Sequence, residues 1–439
     1  MKRLVIIPII ISCAIASMQA QEQYDLKRCI ETGIEQNYSI RIVRNEQQVA
    51  NNNATWGNAG ALPTLDLTAN GSAAMDNTHR KLNDGTSEDT NGATSEAAQA
   101  ALSLNWMLFD GLGIQAEYDK LKELSLLGEL NTRLTIEDFV ASLAAEYYNL
   151  VRQKIRLRNL RSTVALSKER LRIVEERYNI GSMSLLDLQQ AKVYFNADSS
   201  KLLTQFEAVY ASRIRLNELM AVEDVSAPIL LSDSIIYPNV SLNKANLWDE
   251  VLTNNVSLLM AEQARTLSEI NYRKAKSRNY PYLKLNASYG LNNNWHEIGT
   301  TELQRKLGIN AGVTVGINLF DGMNRKRTQR NARIEIETES LRKEQLSLSL
   351  KSDMSNLWMA YQNNLELWEL EKENRVVATE NYAIAIERYK LGDLSGIELR
   401  EAQNGLLEAE ERQSIVEYAT KVCEISLLQL SGELALLLQ

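Results

Sequence analysis

The chain has 439 residues, 44% of them hydrophobic and 24% charged, with a formal net charge of −8 and a mean hydropathy of −0.28. These values exclude a polytopic helical membrane protein, which needs several apolar runs of about 20 residues, and they exclude wholesale disorder. They give no overall electrostatic case for a nucleic-acid partner.

Residues 1–20 read as a signal peptide. Lys2 and Arg3 precede an apolar run from Leu4 to Ala16, and Ala20 offers a small residue before Gln21. Loss of Lys2 and Arg3 takes the net charge from −8 to −10. Cys13, in Ile10-Ile11-Ser12-Cys13, loosely resembles a lipoprotein processing box, although the residues after it stay apolar. Cys29 and Cys423 lie near opposite ends of the mature chain. Export permits a disulfide between them, and burial as small apolar residues is the other reading.

The rest of the chain is a duplication. Leu108-Phe109-Asp110-Gly111 recurs 211 residues later as Leu319-Phe320-Asp321-Gly322, and Glu176-Arg177-Tyr178-Asn179-Ile180-Gly181 recurs as Glu387-Arg388-Tyr389-Lys390-Leu391-Gly392. Earlier in each half the offset is 218 and pairs Pro63 with Pro281. The repeats are 21–230 and 231–439, joined near Ala221 to Asn243, where Pro228 and Pro238 fall.

Each repeat opens with a helix, about 25–56 and 245–276. Its proline then starts a strand hairpin, 63–109 and 281–320. Leu65, Leu67 and Ala69 alternate with polar neighbours, as do Leu283, Leu285, Ala287, Tyr289 and Leu291. Polar tips are expected from Asp76 to Ser95 and around Asn292 to Arg305. The returning strands place Leu102, Leu104, Trp106 and Leu108, and Leu307 through Leu319 at every second position, on one side. An aliphatic face opposite a small uncharged one, with aromatics at the ends, fits a lipid-facing barrel strand. A sheet packed on a soluble core is the alternative. Four strands cannot close a membrane barrel, for which about eight is the minimum, so such a barrel must be shared among subunits.

Long helices follow, Ile114 to Tyr178 and Asn324 to Tyr389, each roughly 100 Å at about 1.5 Å per residue. Heptad-like spacing of Leu160, Val164, Leu171, Val174 and Tyr178 continues past Gly181. Reversals at Gly181 and Gly392 give helical hairpins over 113–221 and 323–438. His79 and His296 lack the companions of a zinc site or a catalytic triad, and no phosphate-cradling loop occurs. No catalytic residue, metal or cofactor is therefore assigned. The basic run Arg325, Lys326, Arg327, Arg330 and Arg333 is either a contact to lipid phosphates or a solvated face.

A repeated unit of helix, proline, hairpin, Phe-Asp-Gly, long helix and glycine tip resembles the TolC-like outer-membrane efflux family over essentially the whole mature chain. The resemblance implies a mostly α fold with a small β part. Long helical hairpins would form a periplasmic α-barrel tunnel, and four strands per protomer would contribute to a twelve-stranded outer-membrane β-barrel shared by a homotrimer. It also implies a passive channel-tunnel in the outer membrane of a Gram-negative bacterium, not an enzyme, serving tripartite efflux or type I secretion. Its partners would be a periplasmic adaptor, an inner-membrane transporter and outer-membrane lipid. Drug, metal, siderophore and protein exporters share this duct. The competing reading is a periplasmic or surface coiled-coil scaffold or adhesin without a conduit.

The same resemblance assigns roles at the two tips. Asp187 and Tyr389 fall where the family forms links that close the tunnel, and Glu398 and Glu401 where acidic residues face its lumen. Leu394 stands where the prototype has an arginine. Gly181, Ser182, Met183, Gly392, Asp393 and Leu394 are the candidates for adaptor docking. Glu398 and Glu401, three apart, share one helix face. They are either a gate ring or simply complements to the helix dipole. Likewise Asp187 is a link or a helix cap, and Tyr389 a link or a heptad residue.

Overall fold

The computed structural model describes residues 23–297 and 301–438, so the expected signal peptide and Cys13 lie outside the described residues. In chain order the elements are β1 (Gln23–Tyr24), α1 (Leu26–Gln36), α2 (Tyr38–Asn53), β2 (Thr64–Lys81), β3 (Ser87–Phe109), α3 (Gly113–Asn179) and α4 (Leu185–Leu219). The second repeat supplies β4 (Leu230–Leu231), α5 (Lys244–Asn254), α6 (Val256–Ser277), β5 (Tyr282–His296), β6 (Leu303–Gly316), α7 (Asn324–Leu391) and α8 (Gly396–Ser431). A 3-10 turn, Leu434–Leu438, ends the described chain. The elements form two compact units, and α3 and α7 each contribute to both.

One unit, residues 39–136 and 248–353, holds an antiparallel sheet of order β2-β3-β5-β6. Leu67 pairs with Leu102, Leu104 with Ala287, and Leu285 with Val313, so the aliphatic positions stay in register across all four strands. That face is uncovered among the described residues: Leu67 is 78% exposed, Ile309 76% and Val315 71%. Among the described residues β2 and β6 each have a single neighbour, leaving two open edges.

The hairpins differ from expectation at both ends. The polar stretches read as tips are largely strand, because β2 and β3 pair up to Lys81 and Ser87 and leave only residues 82–86 as a turn. Backbone pairing continues where both faces are polar and the period-two signal has vanished. At the other end β3 runs on to Phe109 because β5 pairs with it there. By contrast β6 stops at Gly316, opposite Tyr282. The next position across would be Pro281, which has no N–H to donate, and β6 has no second neighbour.

The repeated Phe-Asp-Gly motif then turns strand into helix. The Ile114 N–H donates to Asp110 Oδ1 (3.0 Å) and the Arg325 N–H to Asp321 Oδ2 (2.9 Å), so each aspartate satisfies an orphan donor at a helix start. Gly111 is left-handed, with φ of +73°, and a Cβ there would fall 2.3 Å from the Ser277 carbonyl oxygen. Part of the basic run serves this junction. Arg325 donates to the Leu319 and Arg278 carbonyls, and Arg333 to the Tyr272 hydroxyl.

The other unit comprises described residues 23–38, 137–247 and 354–438. Leu143, Tyr147 and Leu150 form part of its core, and the Tyr147 hydroxyl donates to Asp233 Oδ2 at 2.9 Å. The segment joining the repeats is tied down at Asn239, whose N–H donates to Glu424 Oε2 (3.1 Å) and whose carbonyl accepts from Tyr361 Oη. Cys29 and Cys423 are free thiols. Cys29 is buried, which pushes its thiol up to about 12, so the burial reading holds for Cys29, while Cys423 is half-buried. Among the described residues no helix is long and apolar enough to cross a membrane, and no cluster of His, Cys, Asp or Glu is placed to hold a metal.

Candidate functional site at the helical tips

The two tips are built on one template. Gly181 and Gly392 adopt φ of +80° and +86°, a left-handed conformation that suits glycine at a helix C-terminus. The Ser182 N–H then donates to the Arg177 carbonyl (2.8 Å) and the Asp393 N–H to the Arg388 carbonyl (3.0 Å). Two residues beyond, Ser184 and Ser395 cap α4 and α8. The Asp187 N–H donates to Ser184 Oγ and the Glu398 N–H to Ser395 Oγ, each at 3.2 Å. In return Asp187 accepts the Ser184 N–H (3.1 Å) and Glu398 the Ser395 N–H (2.9 Å). These are capping boxes. The Ser184 side chain, then its backbone N–H, hold the Asp187 carboxyl below its ordinary range; for Glu398 the backbone N–H of Ser395 leads and the side chain follows.

Asp187 and Glu398 are therefore engaged within their own tips, as the cap reading of Asp187 expects. Glu398 and Glu401 line one groove of about 550 Å3 together with Arg388, Ala378, Ala409 and Arg412. Tyr389 is buried with Ala385 and Leu399, and Arg177 reaches across the two tips, its guanidinium 5.6 Å from the Tyr389 ring centroid and donating to the Lys390 carbonyl (3.2 Å). Tyr389 and Asp187 share a small cavity. Of the docking candidates, Gly181, Ser182, Gly392 and Asp393 are exposed, while Met183 and Leu394 are half-buried in the hydrophobic clusters beneath their tips.

Sequence reasoning missed two features. Ile180 and Leu186 at the first tip, and Leu391 and Ile397 211 residues later, are exposed apolar side chains at matching positions; the repeat itself was the signal. The second is a buried polar cluster. Asp198 on α4 is fully buried, accepts from Arg400 on α8 at 2.5 and 2.7 Å, and also accepts from Ser167 Oγ. Gln403 donates to the Thr163 carbonyl and to Ser167 Oγ, each at 3.2 Å. Burial pushes the Asp198 carboxyl up, but the bonds from Arg400 and Ser167 together outweigh it and hold it below the usual range.

Long helical hairpins capped by glycine tips, and an aliphatic strand face open on both edges, define a protein of the outer-membrane type. The outer membrane efflux protein family model matches residues 30–222 and 247–433, and the chain belongs to that family. It is an outer-membrane efflux protein, and the scaffold or adhesin alternative finds no support. Its fold is similar to that of the Campylobacter jejuni CmeC outer membrane channel (TM-score 0.78, 14% identity, covering 93% of this chain and 86% of that one). It is also similar to the outer membrane protein VceC of Vibrio cholerae (0.72, 17%, 93% and 96%) and to the open state of the Neisseria gonorrhoeae MtrE outer membrane channel (0.72, 15%, 93% and 89%). No curated protein sequence matches the chain.

Proposed function

We propose that this chain is one third of a passive export duct, a homotrimer whose strands close one shared barrel and whose helical hairpins form the tunnel behind it. The observation that carries this reading is the open four-stranded sheet with an exposed aliphatic face and two unpaired edges. The helical hairpins supply a second argument. Tyr389, Arg400 and Gln403 of the second repeat are buried in this protomer, whereas Tyr178, Gln189 and Lys192, their counterparts 211 residues earlier, are exposed. Such a head-to-tail pattern is completed by another copy and closes as a ring. Detergent-purified protein is expected to migrate as a trimer without heating and to conduct in planar bilayers. A monomer without conductance overturns the reading.

Within this duct Glu398 and Glu401 form an acidic ring at the narrow end that favours cations. Glu398→Gln with Glu401→Gln is expected to lower cation selectivity and divalent block in single-channel records; unchanged values defeat the gate. Asp187 and Tyr389 link neighbouring helices when the tunnel is shut, so Tyr389→Phe with Asp187→Ala should raise conductance. The tips dock a periplasmic adaptor, and through it an inner-membrane transporter that supplies the energy. The exposed apolar pairs Ile180 and Leu186, Leu391 and Ile397, beside Gly181, Ser182, Gly392 and Asp393, are the contact. Met183 and Leu394 support it from beneath.

A further inference from the structure

The buried cluster carries more positive charge than it can pair. Arg170 on α3 and Arg400 on α8 are 5% and 8% exposed, and their guanidinium carbons lie 4.9 and 5.1 Å from the ring centroid of Tyr194. A guanidinium over each contact to one ring is a favourable cation–π arrangement, but it neutralises neither charge. The buried carboxylate here, Asp198, is taken up by Arg400 and Ser167. Arg170 Nη1 is left with no hydrogen-bond acceptor among the described residues, and so is Tyr389 Oη, although Tyr389 is only 1% exposed. Burial, and then the neighbouring Arg400, pull the Arg170 guanidinium below its ordinary pKa, as expected for a cation short of counter-charge. Orphan buried donors are costly, and charged ones more so.

Both residues line one cavity of about 110 Å3, walled also by Asp187, Gln190, Tyr194 and Ser395. That is about three to four water molecules' share of liquid volume. The Asp187 carboxylate on this wall is held in its own helix cap by the N–H and hydroxyl of Ser184. Ser395, Gly396 and Ile397, at the N-terminal end of α8, also line the cavity, and Glu398 accepts the Ser395 N–H at that end. We infer that this cavity is a binding site for a small inorganic anion, a halide or a phosphate-type oxyanion, held by the Arg170 guanidinium and the Tyr389 hydroxyl. A bound anion bridges α3 to α7 just above the tips.

Bromide is the probe. Crystals of the full mature chain soaked in bromide are expected to show an anomalous peak within hydrogen-bond reach of Arg170 Nη1 and Tyr389 Oη, rising to saturation with concentration. Tyr389→Phe should weaken the peak and Arg170→Met abolish it. Should Arg170→Met fail to fold, thermal dissociation decides: chloride in place of gluconate at equal ionic strength is expected to raise the wild-type midpoint and to raise that of Tyr389→Phe less. Water alone in the cavity of bromide-soaked wild type, or the Asp187 carboxylate swung into it, overturns the inference. So does an equal peak in Arg170→Met, an adventitious ion only, or equal midpoints in the two salts. A protein that conducts but holds no bromide there loses this site and keeps the duct.

Discussion

The helical hairpins of the two repeats share a template and differ in what they cover. Both tips use a left-handed glycine, a serine cap and an acidic residue three positions on. Higher up they diverge. The first hairpin presents Thr163, Ser167 and Asp198 to Arg400 and Gln403. The second has Asn374, Ala378 and Ala409 at those same positions, lining an open groove of about 550 Å3. Duplication thus preserved what turns the chain, while the surfaces of the turned helices were free to specialise. Within a protomer the contact is fastened by the Asp198–Arg400 ion pair; the equivalent positions on the second hairpin, Asn374, Ala378 and Ala409, carry no charge.

The largest way to break this comparison is to remove the fastening. Asp198→Ala leaves Arg400 buried beside Arg170 without its carboxylate and is expected to cost about 3–5 kcal/mol in denaturant unfolding. Asp198→Leu with Arg400→Met should recover much of that loss, because replacing both charges with apolar groups can be nearly neutral. The mirror substitution Ala378→Ser, at the half-buried groove position equivalent to Ser167, should change stability by less than about 0.5 kcal/mol. If it costs as much as Asp198→Ala, the two surfaces are not different in kind.

Smaller effects test the shared template. Gly181→Ala and Gly392→Ala have open space for the new methyl but force φ near +80°, and each should cost about 1–2 kcal/mol. Ser184→Ala and Ser395→Ala remove one cap each, at about 1 kcal/mol. Near-equal losses at the two tips support one design; a loss at one tip alone refutes it. The smallest effect is in pH. Because folded Asp187 and Glu398 titrate below their unfolded values, their contribution is present above the unfolded carboxylate range and fades as pH falls through the lowered folded values. Hydrogen-exchange protection at the first turns of α4 and α8, taken relative to the intrinsic rate at each pH, should fall in acid, and Asp187→Asn with Glu398→Gln should flatten that response.

Much of this architecture was legible in the sequence. Proline spacing located the strand starts, and the recurring Leu-Phe-Asp-Gly placed the helix starts whose aspartates cap them. The strand ends were not legible, because past Asp76 side-chain alternation stops while backbone pairing does not. The Ser-x-x-Asp and Ser-x-x-Glu boxes were readable as such, yet only a cap at Asp187 and a helix-dipole complement at Glu398 were read, each beside an outward role and without the serine partners. The buried cluster was beyond reach. Asp198 and Arg400 lie 202 residues apart, and a lone charge on a long helix reads as solvated until the partner helix is placed against it.

The two open strand edges have a consequence for how the protein is made. A newly exported protomer carries unpaired backbone on β2 and β6 and an aliphatic face with nothing to cover it. Until a neighbour arrives, every such edge is also a template for wrong pairing. The final steps of folding are thus encounters between molecules, and their rate rises with protomer concentration and not only with the quality of the fold. Asp76, Arg80 and Lys81 on β2, and Arg305 and Lys306 on β6, put charge toward the far ends of those edges, where it discourages indiscriminate pairing while the aliphatic stretches nearer the helices wait for their match.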